Sequence, residues 1–353
     1  MKQTDLPLQA RETGTSGRWK LQPNRTTPGA TSRVFSVRLL NWRLALAVAL
    51  TTFAQPAIAQ SIREYHRTLA VAISDPVTLD VHLSDGELQI AYGRNEQVWI
   101  TASAQVPVGA KADEQSLGTV LAVEQNRNQV QIRNQSNARR TTMKIRIDVP
   151  YWTEVRSIVD NGDQTITGIM GPVKAEASGG DIKVSYVSKG VAAAASAGNL
   201  NLEVISGRIT ARTGTGNITC IRAAQGASVE VENGNIVLLV VGPSEASVTK
   251  GPGKIEVGGA RGSFRASTTE GEIHVKAVPR GDWRLNSASG NIRIELPPAA
   301  AFDVDAMTDT GRIQIDRNDI ERPPVEVRHL SQKVNGGGQR IEARTGSGKI
   351  VIR

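Results

Sequence analysis

From Gly180 onward, apolar and polar residues alternate in short runs, and each run begins two residues after a glycine. With the glycine as position zero, Gly86, Gly180, Gly198, Gly216, Gly234, Gly253, Gly271, Gly290, Gly311 and Gly348 fit one template. Position +2 is Leu88, Ile182, Leu200, Ile218, Ile236, Ile255, Ile273, Ile292, Ile313 and Ile350. Position +4 is Ile90, Val184, Leu202, Cys220, Leu238, Val257, Val275, Ile294, Ile315 and Ile352. Positions +1 and +3 are mostly polar, as at Asp181, Asn199, Asn217, Lys254, Glu272, His274, Arg293 and Arg312. This period of two predicts a strand with one buried face.

A second strand is predicted before each glycine. Positions −7, −5 and −3 read Val173, Ala175, Ala177, then Val191, Ala193, Ala195, and later Phe264, Ala266, Thr268. This face is mostly small where the +2/+4 face is bulky, and two sheets about 10 Å apart can interdigitate on such a pattern. Each repeat is therefore strand, glycine corner, strand, second turn.

From Gly180 to Gly290 the glycines are 18 or 19 residues apart. A unit that short cannot bury a core alone and must stack on copies of itself. The fold expected is all-β, a parallel β-helix or β-solenoid with two-strand rungs. The alternative is an antiparallel meander or roll with Gly-Asn hairpin turns. Coiling is preferred because it lays +2 over +2, and it would let Asn199, Asn217 and Asn235 bond in an outer ladder. The corner glycines are expected to have positive φ. Ten or so rungs at about 4.8 Å give a core roughly 50 Å long.

Residues 60–150 form a looser N-terminal β region or cap, and 151–353 carry the repeats. The Gly162 window has Gln164 where isoleucine is expected, which an inserted residue would explain. Gly311 and Gly348 are 37 residues apart, with Pro323-Pro324 and Gly336-Gly337-Gly338 between them. A looped excursion around 317–338 is expected there, before a last rung, "QRIEARTGSGKIVIR", whose final strand leaves an open edge.

The run "MKIRIDVPYWTEVRSIVDNGD", followed by "GGDIKVSY", "AGNLNLEV", "TGNITCI", "NGNIVLL", "EGEIHVKA" and "SGNIRIELP", resembles the bacterial DUF4097 family, whose members are called candidate adhesins. The resemblance spans roughly residues 65–353. It implies an exported β-helical protein without a known catalytic centre. The adhesin label rests on likeness of fold, which does not imply function.

Charge changes the picture only at the N-terminus. The net charge is +8, but residues 1–59 hold eight Lys/Arg against two Asp/Glu, leaving 34 against 32 for the rest. That near balance and the scarcity of aromatics argue against nucleic-acid binding. Arg38 and Arg43 precede the uncharged run Leu44–Ala54, then Pro56 and Ala57-Ile58-Ala59. This predicts a signal peptide over 34–59, cleaved between Ala59 and Gln60. Eleven residues are too few to cross a bilayer, so the mature chain has no expected transmembrane segment. Residues 1–33 read as an unstructured extension or as lying upstream of the true start, with Val34 the initiator.

Candidate chemistry is sparse. The "GTGNIT" and "GPGKIEV" stretches lack the Gly-Lys-Ser/Thr and helix of a phosphate loop. Only "SGGDIKV" looks like a calcium-binding repeat, and its aspartate does not recur every nine residues. The single cysteine, Cys220, is expected in the core; the four histidines are scattered, and His274 is expected outside without a partner. Asp303, Asp305, Asp309, Asp316 and Asp319 are the best enzyme candidates, because polysaccharide-cleaving β-helices use paired carboxylates. Alternation places such residues on a solvated outer face instead. No catalytic residue, cofactor or metal ligand is assigned.

The expected function is a non-catalytic, exported, adhesin-like or structural protein of the cell envelope. Its partner would be a glycan, an envelope protein or another copy of itself through the solenoid ends. The alternatives are a self-assembling periplasmic scaffold and a polysaccharide-cleaving enzyme. With no barrel segment or anchor after the repeats, the expected location is periplasmic, with outer-membrane association or secretion as alternatives.

Overall fold

The computed structural model describes residues 60–70, 76–93, 97–107, 121–134, 143–321 and 327–353, all in one compact unit, 57–353. The expected leader and the extension before it lie outside the described residues.

The unit is a two-sheet β-solenoid. Each sheet has 14 strands, and every rung gives one strand to each. The strands before the glycines, such as Val173–Gly179, Val191–Ala197 and Ile209–Thr215, build one sheet. Those after the glycines, such as Ile182–Val187, Leu200–Ile205 and Ile218–Ala223, build the other. Neighbours run parallel and in register, so Ile182 pairs with Leu200, Leu200 with Ile218 and Ile218 with Ile236. Across the core, the bulky column meets alanines such as Ala175, Ala193, Ala211, Ala246 and Ala266, all buried. Where the alanine sheet turns aromatic, at Phe264, Trp283 and Phe302, the rings are fully buried as well.

The glycine corner is set more by close approach than by dihedral. Gly180, Gly198, Gly216 and Gly234 have positive φ, but Gly253, Gly271, Gly290, Gly311 and Gly348 do not. What the column shares is contact with the rung below. A Cβ at Gly216 would lie 2.1 Å from the carbonyl oxygen of Gly198, and one at Gly271 would lie 1.8 Å from that of Gly253. No side chain fits in that space. A hydroxyl beside the corner braces it: Thr213 Oγ1 donates to Gly198 O at 2.9 Å, and Ser287 Oγ to Gly271 O at 3.1 Å.

Gln164 is not a register slip. It pairs with Ile182 on one side and Leu88 on the other, directly in the isoleucine column, and is buried. Its Oε1 accepts from Ser157 Oγ at 2.6 Å and its Nε2 donates to Glu176 O at 2.6 Å. A buried amide with such partners needs no inserted residue to accommodate it.

The rung order departs from chain order at the C-terminal end. Strands Gln339–Thr345 and Ile350–Ile352 lie between the Gly290 and Gly311 rungs: Ile350 pairs with both Ile292 and Ile313. The last strand in sequence is thus interior and not an open edge. The 317–338 excursion is also more than a loop. His329–Val334 runs antiparallel to Phe302–Thr308, and Ile320 and Arg317 are buried. Arg317 Nη1 donates to Leu296 O at 2.9 Å, capping that end. Residues 322–326 lie outside the described residues.

The other end closes similarly. Rung 77–92 stacks directly on rung 153–167, and the intervening chain returns to cover it. Gln97–Pro107 runs antiparallel to Met143–Val149, Gln60–Ala70 antiparallel to Gln97–Pro107, and Leu121–Asn126 antiparallel to Gln129–Asn134. Among the described residues, antiparallel pairing is therefore confined to the ends, where there is no further rung to coil onto.

Candidate functional site

The stretches that invited phosphate or calcium readings are consumed by stacking. Gly216 N donates to Asn233 O, Asn217 N to Asn199 Oδ1 and Ile218 N to Asn235 O, at 2.9–3.0 Å, so these amides already have partners. Asp181, in "SGGDIKV", accepts from Asn199 N at 2.8 Å and Nδ2 at 3.1 Å. The ladder continues through Asn217 and Asn235 to the Lys254 amide.

The five C-terminal aspartates are dispersed. Asp303 and Asp305 share the outer face of one sheet, whereas Asp316 follows the strand Ile313–Ile315 of the other. Asp305 is held by two partners: Arg340 Nη2 at 2.7 Å from Oδ2 and His329 Nε2 at 3.2 Å from Oδ1. Burial works to raise its pKa, but Arg340 and His329 together hold it below the usual aspartate range. Asp319 is likewise lowered, chiefly by its bond to Arg317, with Asn335 helping. Asp316 accepts from Gln314 Nε2 at 2.7 Å, and Asp309 is exposed. A general acid needs a raised pKa; the shifts here run the other way.

Cys220 is fully buried, and desolvation pushes its thiol up to about 12, which leaves no nucleophile at neutral pH. His274 does have a partner: its Nε2 is 3.0 Å from Glu295 Oε1. Glu295 is lowered first by Arg353 and then, against some burial cost, by His274. This is an ion-pair cluster on an outer face. Among the described residues no three His, Cys, Asp or Glu side chains gather as a metal site, and no helix is long and apolar enough to cross a membrane.

The feature that sequence reading passed over is aromatic. Tyr92, Trp99, Tyr151, Trp152 and Tyr186 are exposed, at 44–59%. Tyr92 and Tyr151 meet edge to face with centroids 5.2 Å apart, and Tyr151 meets Trp152 at 5.7 Å. Tyr92 and Tyr186 each stand six residues after a corner glycine, and Gly168 holds that position in the rung between them. A side chain at Gly168 would meet Tyr92 Cβ at 3.2 Å. That +6 spacing was the available signal; the low aromatic count hid it.

Paired columns of glycine, isoleucine and small residues, coiled in parallel and capped by antiparallel strands, define a two-sheet β-solenoid of stacked repeats. The chain belongs to the Toastrack DUF4097 family, whose profile matches residues 77–353. Three solved structures show low-scoring likeness. A candidate adhesin from Bacteroides fragilis is 14% identical, with 82% of this chain and 97% of that one covered and a TM-score of 0.32. A candidate lipid-binding protein from Parabacteroides distasonis is 13% identical with the same coverages and a TM-score of 0.33. A candidate cell-adhesion protein from Clostridium sporogenes is 10% identical, covering 83% of this chain and 99% of that one, with a TM-score of 0.23. Each of those names belongs to that protein alone. No curated protein matches the chain.

Proposed function

We propose that the protein is an exported, non-catalytic binding protein of the bacterial cell envelope, periplasmic by default, which presents its outer columns to a glycan or an envelope protein. Export is supported by the leader pattern before Gln60. The observation that carries the non-catalytic reading is the state of the carboxylates. Asp305 and Asp319 are engaged by arginines and depressed in pKa, and the acidic set is divided between two sheets. The polysaccharide-cleaving alternative would need Asp303 and Asp305, which share one outer face, to act as a pair, and Asp305 is taken up by Arg340 and His329 while Asp303 accepts from Gly338 N. Pairing with another copy through the last strand is closed off, because Ile350–Ile352 is paired on both sides.

Cell fractionation with a tagged full chain, followed by pull-down from the envelope fraction, tests the reading. Recovery in that fraction with a retained partner, and no product released from polysaccharides, is the expected result. Cytoplasmic retention, or cleavage lost on Asp305→Asn, would overturn it.

A further inference from the structure

The exposed rings are distributed over a mapped surface. On the outer face after the corner glycines, Trp99 pairs with Asp148, Asp148 with Ala91, Ala91 with Thr167 and Thr167 with Ser185. The row therefore runs from one tryptophan past Asp148 to the small side chains of Ala91, Thr167 and Ser185. The next position along each of three rungs is Tyr92, Gly168 and Tyr186. Two rungs at about 4.8 Å separate the tyrosines by roughly 10 Å, with a glycine between. Tyr151 meets Tyr92 on one side and Trp152 on the other, and Met170 N donates to Tyr151 O at 3.0 Å, which fixes that turn beside the Gly168 rung.

Large exposed rings are costly to leave in water unless something covers them. The chemistry of these groups selects the occupant. The hydroxyls of Tyr92, Tyr151 and Tyr186 and the indole N–H of Trp152 carry no hydrogen bond within the described protein, so each ring couples an apolar face to a free polar group. The floor adds the Thr167 hydroxyl, which accepts from the buried Ser185 Oγ at 3.0 Å. Arg146 and Asp148 cancel one another: Arg146 forks onto Asp148 at 3.0–3.2 Å and reaches Gln89 at 3.4 Å, which leaves exposed Lys183, two residues before Ser185, as a lone charge at the edge of this face. A surface of rings and hydroxyls with few net charges suits a ligand with apolar C–H faces edged by hydroxyls. An acyl chain would need an enclosed apolar channel, and an acidic ligand would need clustered cations, where this face has Arg146 neutralised by Asp148 and a single Lys183.

We propose that the aromatic corner formed by Tyr92, Trp99, Tyr151, Trp152 and Tyr186 is a binding site for a neutral oligosaccharide, whose sugar faces stack on the rings above Gly168. The proposal rests on the binding reading given above and names its site and ligand class.

The test is titration of the full chain with cellohexaose, xylohexaose and maltohexaose, followed by intrinsic tryptophan fluorescence and affinity electrophoresis. Trp152→Ala and Tyr92→Ala are compared with Val237→Ser, a control farther along the same sheet face. Expected is saturable binding to at least one neutral hexasaccharide, weakened about tenfold or more by either ring variant and not by the control, at unchanged melting temperature. Sugar binding that ignores the ring variants would overturn this site while leaving the binding role intact. No sugar binding, together with an envelope protein whose capture is lost in the same variants, would overturn the ligand class alone. Failure of both sugar binding and envelope capture would sink the site and the function together. A ring variant that melts early is replaced by Trp152→Phe, for which weakening without loss of stability is required.

Discussion

Ile236 and Asn235 are adjacent in the chain and have opposite surroundings. Ile236 lies fully buried between Ile218 and Ile255. Ile236→Asp would put a carboxylate there without a partner and should cost several kcal/mol, on the order of 4. Asn235 is an outer residue but not an idle one. Its Nδ2 donates to Asn217 Oδ1 and its Oδ1 accepts from Lys254 N. Asn235→Asp removes the donor and sets two acceptors together, for a loss of about 1 kcal/mol. Thermal melts of the two variants should differ widely, and equal melting points would refute the assigned faces. Gln164 makes a related case. Gln164→Ile alone leaves Ser157 Oγ and Glu176 O without that partner and should destabilise, whereas adding Ser157→Ala should recover part of the loss. A denaturant double-mutant cycle that shows simple additivity would contradict the buried pair. At this scale the sequence revealed which positions face inward, because alternation encodes that directly. It did not reveal that a glutamine could keep an isoleucine's place, because that depends on a hydroxyl seven residues upstream and a carbonyl twelve downstream.

Rung order illustrates what a repeat pattern conceals. The windows at Gly290, Gly311 and Gly348 share the same columns, so any of them can stack on any other. What places Gly348 in the middle is the 317–338 segment, which turns back as the strand His329–Val334 against Phe302–Thr308 and makes room for Gln339–Thr345 on the opposite edge. Removal of residues 339–353 would accordingly leave Trp283–Ser287 and Phe302–Thr308 without the strand that joins them. Limited proteolysis of that truncation should cut within 297–321, where a merely terminal rung would have left the rest protected. The same hairpin carries an acid-sensitive clamp. Asp305 is depressed below the ordinary aspartate value, so the stabilisation from Arg340 and His329 is complete above that value and fades as pH falls through the folded pKa. The window lies below about pH 4. Asp305→Asn should lower the melting temperature at neutral pH and flatten its fall in acid; an unchanged acid limb would show that the clamp contributes nothing.

For the stack as a whole, stability is a sum over neighbouring rungs, and its exposed ends decide whether copies join. Repetition made the coil legible from sequence, whereas the aromatic corner stayed hidden because its rings come from rungs far apart in the chain, on Tyr92, Tyr151 and Tyr186. The ends decide a further question. Coiled parallel strands would expose a continuing edge at each end, yet the terminal strands are ill suited to pairing with another copy. Gln60–Ala70 carries exposed Glu64, His66 and Arg67, and Arg67 Nη1 donates across to Val123 O at 3.0 Å. At the opposite end Ile313–Ile315 is only three residues long, and His329–Val334 exposes His329 and Lys333. Short and charged edges are the usual protection against edge-to-edge assembly. The protein should therefore sediment as a monomer across the micromolar range, with binding surfaces along its faces rather than at its tips. Rods that lengthen with concentration in electron microscopy would reverse that assignment and revive the scaffold, because strand pairing would then have overcome the charges that guard both ends.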